Sequence, residues 1–507
     1  MAQSSLLKPV IDQNYPVVAY GNGVFLYDTE GNKYLDGSSG AMTASIGHGV
    51  EEVAQTMRAQ AMYFLRLHGD PLLSCDAPPN DLACVAGSFT SVTSMIRPFC
   101  LMTDGTAFSY RPQFTKKPAE DLARELVALA PDHLNWVFFV NSGSEASEFA
   151  IRAALGYWRD RGLPEKTKIL GRHTSYHGMT MGALSMSGHP ARRPDYGPLL
   201  HAFPVAPPVH SYRYARPDES ECEYAERAAA DFEQAIRNED PQTVAAVIVE
   251  PIVGAAGGVL VPPDGYLRKL REVCDRLNVL LIVDEVITGV GRTGDWFACE
   301  HEGVVPDMLL VGKGLSGGYA PVGAVLMHEH LVETLRAHSG IAPFGHTFSA
   351  NPLSMATCLT VLRLLQRESV LDNVRQRGAQ LARGLRSLAE RYHFVDDVRG
   401  RGLLWGFEFV TDRQKRETPD PEQQISAAFV DVCFREGLLV YPAGIAPFNN
   451  AAIISPPLRI TECEIEILLE KLDLALAHMS GCFSTRGAKE NPPRPATLAY
   501  SEPGSGL

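Results

Sequence analysis

Short runs of consecutive apolar residues alternate with amphipathic stretches through the middle of this chain. WVFFV (136–140), AAVIVE (245–250), VLLIVDEV (279–286) and DMLLV (307–311) are apolar at nearly every position, the pattern of strands buried on both faces. Between them, stretches such as DLARELVALA (121–130) and EASEFAIRAALGYW (145–158) place apolar residues at helical spacing. Strands alternating with helices predict an α/β fold with a mainly parallel sheet covered on both sides. Ahead of this region, GVFLYDTEGNKYLDG (23–37) predicts a hairpin and the start of a small lobe, with Gly31 placed to take the turn. Beyond Gly345, long amphipathic helices alternate with LLWGFEFV (403–410) and GLLVYP (437–442), which predicts a second, α+β lobe.

Composition narrows the function. The chain has 507 residues, too many for one compact core, and a net charge of −13 with no basic run, so nucleic acid and anionic membrane surfaces are poor partners for it. The most apolar long window, Val244 to Pro262, contains Glu250, Pro251 and three glycines, which suits a buried strand and a turn rather than a membrane span. Ten cysteines are scattered singly without CxxC pairs, and MAQSSLLKPVIDQNYP forms no signal-peptide core, so a reducing cytoplasmic location is expected. The Pro, Gly and Ser-rich tail at 481–507 reads as disordered.

Candidate chemistry sits where strands give way to loops. In NSGSEA, Ser142 and Glu145 match a capping box, and Gly143 and Ser144 open a helix whose free N–H groups could receive a phosphate; alone, the motif reads first as a capped helix that binds nothing. Asp284 ends an apolar strand, where a carboxylate is costly unless it meets a cation. Lys313 follows another apolar strand between Gly312 and Gly314, in a crowded turn that would desolvate its amine and lower its pKa from about 10.4. A neutral lysine amine is what imine formation needs. Tyr176 and His177 precede a glycine and could offer an aromatic face, and Glu250 ends one more strand; either alone reads as core or loop-capping.

Taken in order, NSGSEA, SYHGMT, VEPIVG, LIVDEVITGVGRTG, VGKGLSGGYAPVGA and HTFSANP resemble the class III pyridoxal-phosphate-dependent aminotransferases, over about Val17 to Met479. The resemblance implies the fold type I architecture, with a mainly parallel seven-stranded sheet in a large cofactor-binding domain (106–345). The smaller α+β domain would comprise an N-terminal segment (1–69) and a C-terminal part (346–480). It implies pyridoxal 5′-phosphate as cofactor, carried by Lys313 as a Schiff base. Gly143 and Ser144 would cradle its phosphate, Tyr176 and Val286 would flank its ring, Asp284 would pair with the pyridine nitrogen, and Glu250 would line the pocket. Thr347 in HTFSANP would reach the phosphate of a neighbouring subunit, which implies a homodimer. The implied reaction moves an amino group from a primary amine donor to a keto-acid acceptor, with Lys313 as the proton shuttle.

The chain also departs from the family pattern. Tyr441 stands where several members place a carboxylate-binding arginine, and Met42 where some relatives place a pocket tryptophan, so a larger or more apolar amine is expected; Arg459 is a further candidate anion partner, read also as a strand-exposed arginine. The segment 70–105 has no counterpart in the family pattern and reads equally as a specificity lid, a disordered insertion or a product of faulty gene assembly. The same lysine and aspartate would serve a racemase or epimerase, an aminomutase or a decarboxylating transaminase, and a catalytically silent cofactor-binding subunit is the reading from another class. A nicotinamide enzyme is opposed by the lack of a GxGxxG loop after the first strand of the sheet.

Overall fold

The computed structural model describes residues 13–67, 114–343 and 345–483; the 70–105 segment and the tail from 484 onward lie outside these residues. The chain opens with three antiparallel strands, β1 (Val18–Asn22), β2 (Phe25–Asp28) and β3 (Lys33–Asp36). The β2–β3 hairpin turns as expected. Gly31 takes φ +89°, and the Asp28 carboxylate accepts from the Glu30 and Asn32 N–H groups, both at 2.9 Å.

The central sheet has seven strands: β4 (Trp136–Val140), β5 (Lys168–Arg172), β6 (Val205–Ala206), β7 (Val244–Val249), β8 (Leu280–Asp284), β9 (Met308–Val311) and β10 (Gly323–Met327). Their spatial order is β4-β10-β9-β8-β7-β5-β6. Only β10 runs against its neighbours, so the sheet is mainly parallel, as the alternation of strands and helices predicts. Every residue of β7, β8 and β9 is buried, which is why these runs lack polar alternation. Alternate side chains serve opposite faces. Ile248, Ile282 and Leu310 pack with Phe149 and Ala153 of helix Gly143–Asp160, whereas Val247, Leu281 and Leu309 join Phe232 and Leu270 on the other side.

A third sheet, in the order β11-β12-β15-β14, is antiparallel and is built from β11 (Val395–Arg401), β12 (Leu404–Phe409), β14 (Tyr441–Ala443) and β15 (Ala451–Ile454). β13 (Leu438–Leu439) instead leaves this lobe and pairs in parallel with β3, Leu438 opposite Leu35. Strands from the N-terminal hairpin and from the C-terminal third of the chain therefore share one sheet. No helix among the described residues is long and apolar enough to cross a membrane.

Two buried arginines join the C-terminal sheet to the central one. Arg399 on β11 donates to the carbonyls of Gly257, Gly258 and Val259 at 3.0, 2.8 and 2.9 Å, and it also meets the carboxylates of Asp397 and Glu408. Arg292 donates to Leu403 O and Pro456 O at 3.1 and 2.6 Å. An Arg399→Met substitution keeps the stem but strands three carbonyls and two acids, a cost on the order of 3–5 kcal/mol for a broken buried ion pair. The variant should unfold at a clearly lower temperature than the parent in a thermal melt; an unchanged midpoint would show that the clamp contributes nothing.

Candidate functional site

Because β4, β5, β7, β8 and β9 all run in the same direction, the residues that follow them collect at one edge of the sheet. Asp284 ends β8 and lies opposite Leu310 of the adjacent β9, so Lys313, three residues further on, emerges beside it. Lys313 begins a short 3-10 helix (Lys313–Ser316) and takes φ +37°, in the left-handed region that favours glycine. Its side chain is half-buried. Its surroundings nonetheless desolvate the ammonium and lower its pKa to about 8, with the nearby Asp284 and Glu250 opposing that effect and Arg192 and Arg292 adding to it.

Asp284 is buried at 6% exposure and has donors on both oxygens. Its Oδ2 lies 2.8 Å from Nδ1 of His177, and its Oδ1 accepts from the Val286 N–H at 3.1 Å. The other ring nitrogen of His177, Nε2, is buried with no hydrogen-bond partner. A carboxylate accepts up to about four hydrogen bonds, so Asp284 retains capacity for a further donor. Glu250, also buried, accepts from the Tyr176 N–H and the Gly254 N–H, both at 3.0 Å, and burial pushes its pKa up.

The helix Gly143–Asp160 points its N-terminus at this edge. Its first intrahelical bond runs from the Ala146 N–H to the Ser142 carbonyl at 3.0 Å, which leaves the Gly143 and Ser144 amides ahead of it. Close packing demands glycine here. A Cβ on Gly143 would stand 3.1 Å from Val286, one on Gly312 would stand 3.3 Å from the same valine, and one on Gly178 would strike Ser144 at 2.5 Å. Gly143, Val286 and the Lys313 turn thus meet at one point, and Ser144 Oγ accepts from the Met179 N–H at 3.0 Å. The expected capping box is only half formed. Ser142 Oγ accepts from the Glu145 N–H at 3.2 Å, but the Glu145 carboxylate turns to the N–H and amide of Asn141, at 2.7 and 2.9 Å, in place of the Ser142 N–H.

Tyr176 is half-buried against Val253, Ala256 and Leu260. Met42 and Tyr441, taken from distant parts of the sequence, fall into one apolar cluster with Ile252, Val259 and Ile453, bordered by Ile287. Met42 is almost wholly buried at 2% exposure. Thr347 lies on an exposed turn between His346, whose ring sits 3.7 Å from the Glu145 carboxylate, and Phe348, which is 61% exposed. Arg459 is withdrawn from the chemistry. It sits in a turn after β15 rather than on a strand, paired twice with Glu368 at 2.7 and 2.9 Å. Sequence reasoning missed the role of His177 against Asp284 and missed Arg192 altogether; no spacing rule links those positions to the site.

The sequence profile described as Aminotransferase class-III matches residues 102–476. The chain is 39% identical over 469 residues to the uncharacterized aminotransferase YodT of Bacillus subtilis (strain 168), covering 92% of this chain and 96% of that one. Among solved structures it resembles a thermostable (S)-enantioselective omega-transaminase from Thermomicrobium roseum, with a TM-score of 0.79, 33% identity, and 92% and 93% of the two chains covered. It also resembles the omega transaminase from Pseudomonas jessenii in complex with PMP, with a TM-score of 0.79, 28% identity, and 92% and 93% covered. A mainly parallel seven-stranded sheet that gathers a lysine, a buried aspartate and a glycine-opened helix at one edge agrees with these likenesses, and the chain belongs to the class III aminotransferase family.

Proposed function

We propose that this protein transfers the amino group of a primary amine to a keto acid with pyridoxal 5′-phosphate as cofactor, and that Lys313 is the residue to which the cofactor attaches. The observation that carries this reading is the placement of a desolvated lysine beside a buried aspartate on adjacent parallel strands. The surroundings fit that group. A planar cationic heteroaromatic bearing a phosphate needs a carboxylate, an apolar sandwich and an anion cradle, and Asp284, the pair Tyr176 and Val286, and the amides of Gly143 and Ser144 supply them.

Pyridoxal phosphate, when bound, supplies an aldehyde that condenses with amines and a ring that draws electrons from the neighbouring carbon. The protein's part is to hold and tune. Asp284, fixed by His177 on one oxygen and by the Val286 N–H on the other, keeps a proton on the ring nitrogen. Glu250 anchors the Tyr176 backbone and so sets the height of the aromatic face. With the cofactor bound, Lys313 would take the proton from the donor carbon that bears nitrogen, a role its lowered pKa favours near neutral pH. The Met42 and Tyr441 cluster offers an apolar wall rather than a charge, which supports donors with larger apolar substituents over simple ω-amino acids. The exposed Thr347 and Phe348 turn supports a homodimer in which each subunit completes the other's phosphate site.

Three outcomes are expected. The Lys313→Ala protein should lose its visible cofactor absorbance and at least about 10³-fold in turnover, within the range that acid–base catalysis contributes; retention of both would sink the assignment. Cofactor capture by the apoprotein, followed by stopped-flow absorbance, should quicken about tenfold per pH unit below pH 8 and level off above it, because only neutral Lys313 reacts and its pKa is about 8. A rise continuing to pH 10 would show the amine to be solvated. Finally, Lys313→Ala and Thr347→Ala subunits, each impaired alone, should regain activity when unfolded and refolded together, since a mixed dimer holds one intact site; no recovery would place Thr347 outside the partner's site.

A further inference from the structure

If Tyr441 occupies the place of a carboxylate-binding arginine, a keto acid still needs a cation near the reacting carbon. Two cations bear on Lys313, Arg292 and Arg192. Arg292 is buried and committed to the carbonyls of Leu403 and Pro456. Arg193, next along the chain from Arg192, is committed to the carbonyls of Leu184, Ser185 and Ser187 at 2.9, 3.1 and 2.7 Å. Arg192 differs. It ends a short 3-10 helix (Pro190–Arg192), stays half-exposed, and lays its guanidinium over the Tyr176 ring, 4.4 Å from the ring centre. Among the described residues its guanidinium makes one further hydrogen bond, to the Met179 sulfur at 3.9 Å, and no carboxylate pairs with it. Stacking on an aromatic face fixes the plane of a guanidinium and leaves its edge donors pointing outward, the arrangement that receives a carboxylate through two parallel hydrogen bonds.

We propose that Arg192 is the residue that selects the keto-acid acceptor by binding its carboxylate. The inference rests on the transaminase reading above. It makes the segment after SYHGMT, and not the segment around Tyr441, the origin of carboxylate recognition. The same arginine would be displaced from substrate contact when the donor carries no acid, which lets one pocket take an apolar amine in one half-reaction and a charged acceptor in the next.

The test uses the cofactor-loaded enzyme in two stages. An amine is first mixed with it alone, and loss of the visible cofactor absorbance reports the donor half-reaction. The amino form so made is then offered pyruvate or propanal, acceptors of equal length with and without a carboxylate. In Arg192→Gln the ratio of kcat/KM for pyruvate to that for propanal should fall about tenfold or more, and Arg192→Lys should recover part of the loss. Equal losses for both acceptors would show that Arg192 only supports Tyr176 and would overturn the proposal, as would an unchanged ratio. Failure of every amine with the parent enzyme would instead remove the transaminase reading, and this inference with it.

Discussion

A carboxylate at the end of an apolar strand must be met by donors or a cation, and Asp284 imposes that demand on everything around it. His177 answers on one oxygen and the Val286 N–H on the other, so the acid is fixed in place while part of its accepting capacity stays open. The Val286 turn that supplies the second donor also presents the side chain against which Gly143 and Gly312 must pack without a Cβ. One acid thus ties together the helix N-terminus, the lysine turn and the Tyr-His-Gly loop.

Much of this was legible in the residues. Apolar runs such as VAAVIV and MLLV are buried along their whole length, so their lack of alternation announced a covered parallel sheet. Asp284, Lys313 and Gly143 were marked by where they stood, each at the end of a strand, and parallel strands bring such ends together. The pairing of His177 with Asp284 was not marked, nor was Arg192, because the contacts that give them meaning reach across loops whose paths no periodicity encodes. The capping box at Ser142 was half misread for a related reason: the Glu145 carboxylate found both an N–H and an amide on Asn141. Local motif rules rank partners only within their own few residues.

The lobes are held by different means. The central sheet depends on apolar faces, while its union with the C-terminal sheet relies on Arg399 and Arg292 binding backbone carbonyls. Such bonds are directional. They fix the Gly257–Val259 loop relative to β11, and through it the wall formed by Val259, Met42 and Tyr441. The geometry of the apolar wall is thereby set from the far side of a domain junction.

The pairing of β13 with β3 has a consequence for how the molecule is made. Leu35 waits for Leu438, so the hairpin, made some four hundred residues earlier, keeps one edge unpaired until nearly all the described chain has been synthesised. Closing that sheet is a long-range event that local helices cannot hasten. During translation the unpaired edge is open to capture by another nascent copy, and production of the enzyme should depend on chaperone supply more than its finished stability would suggest.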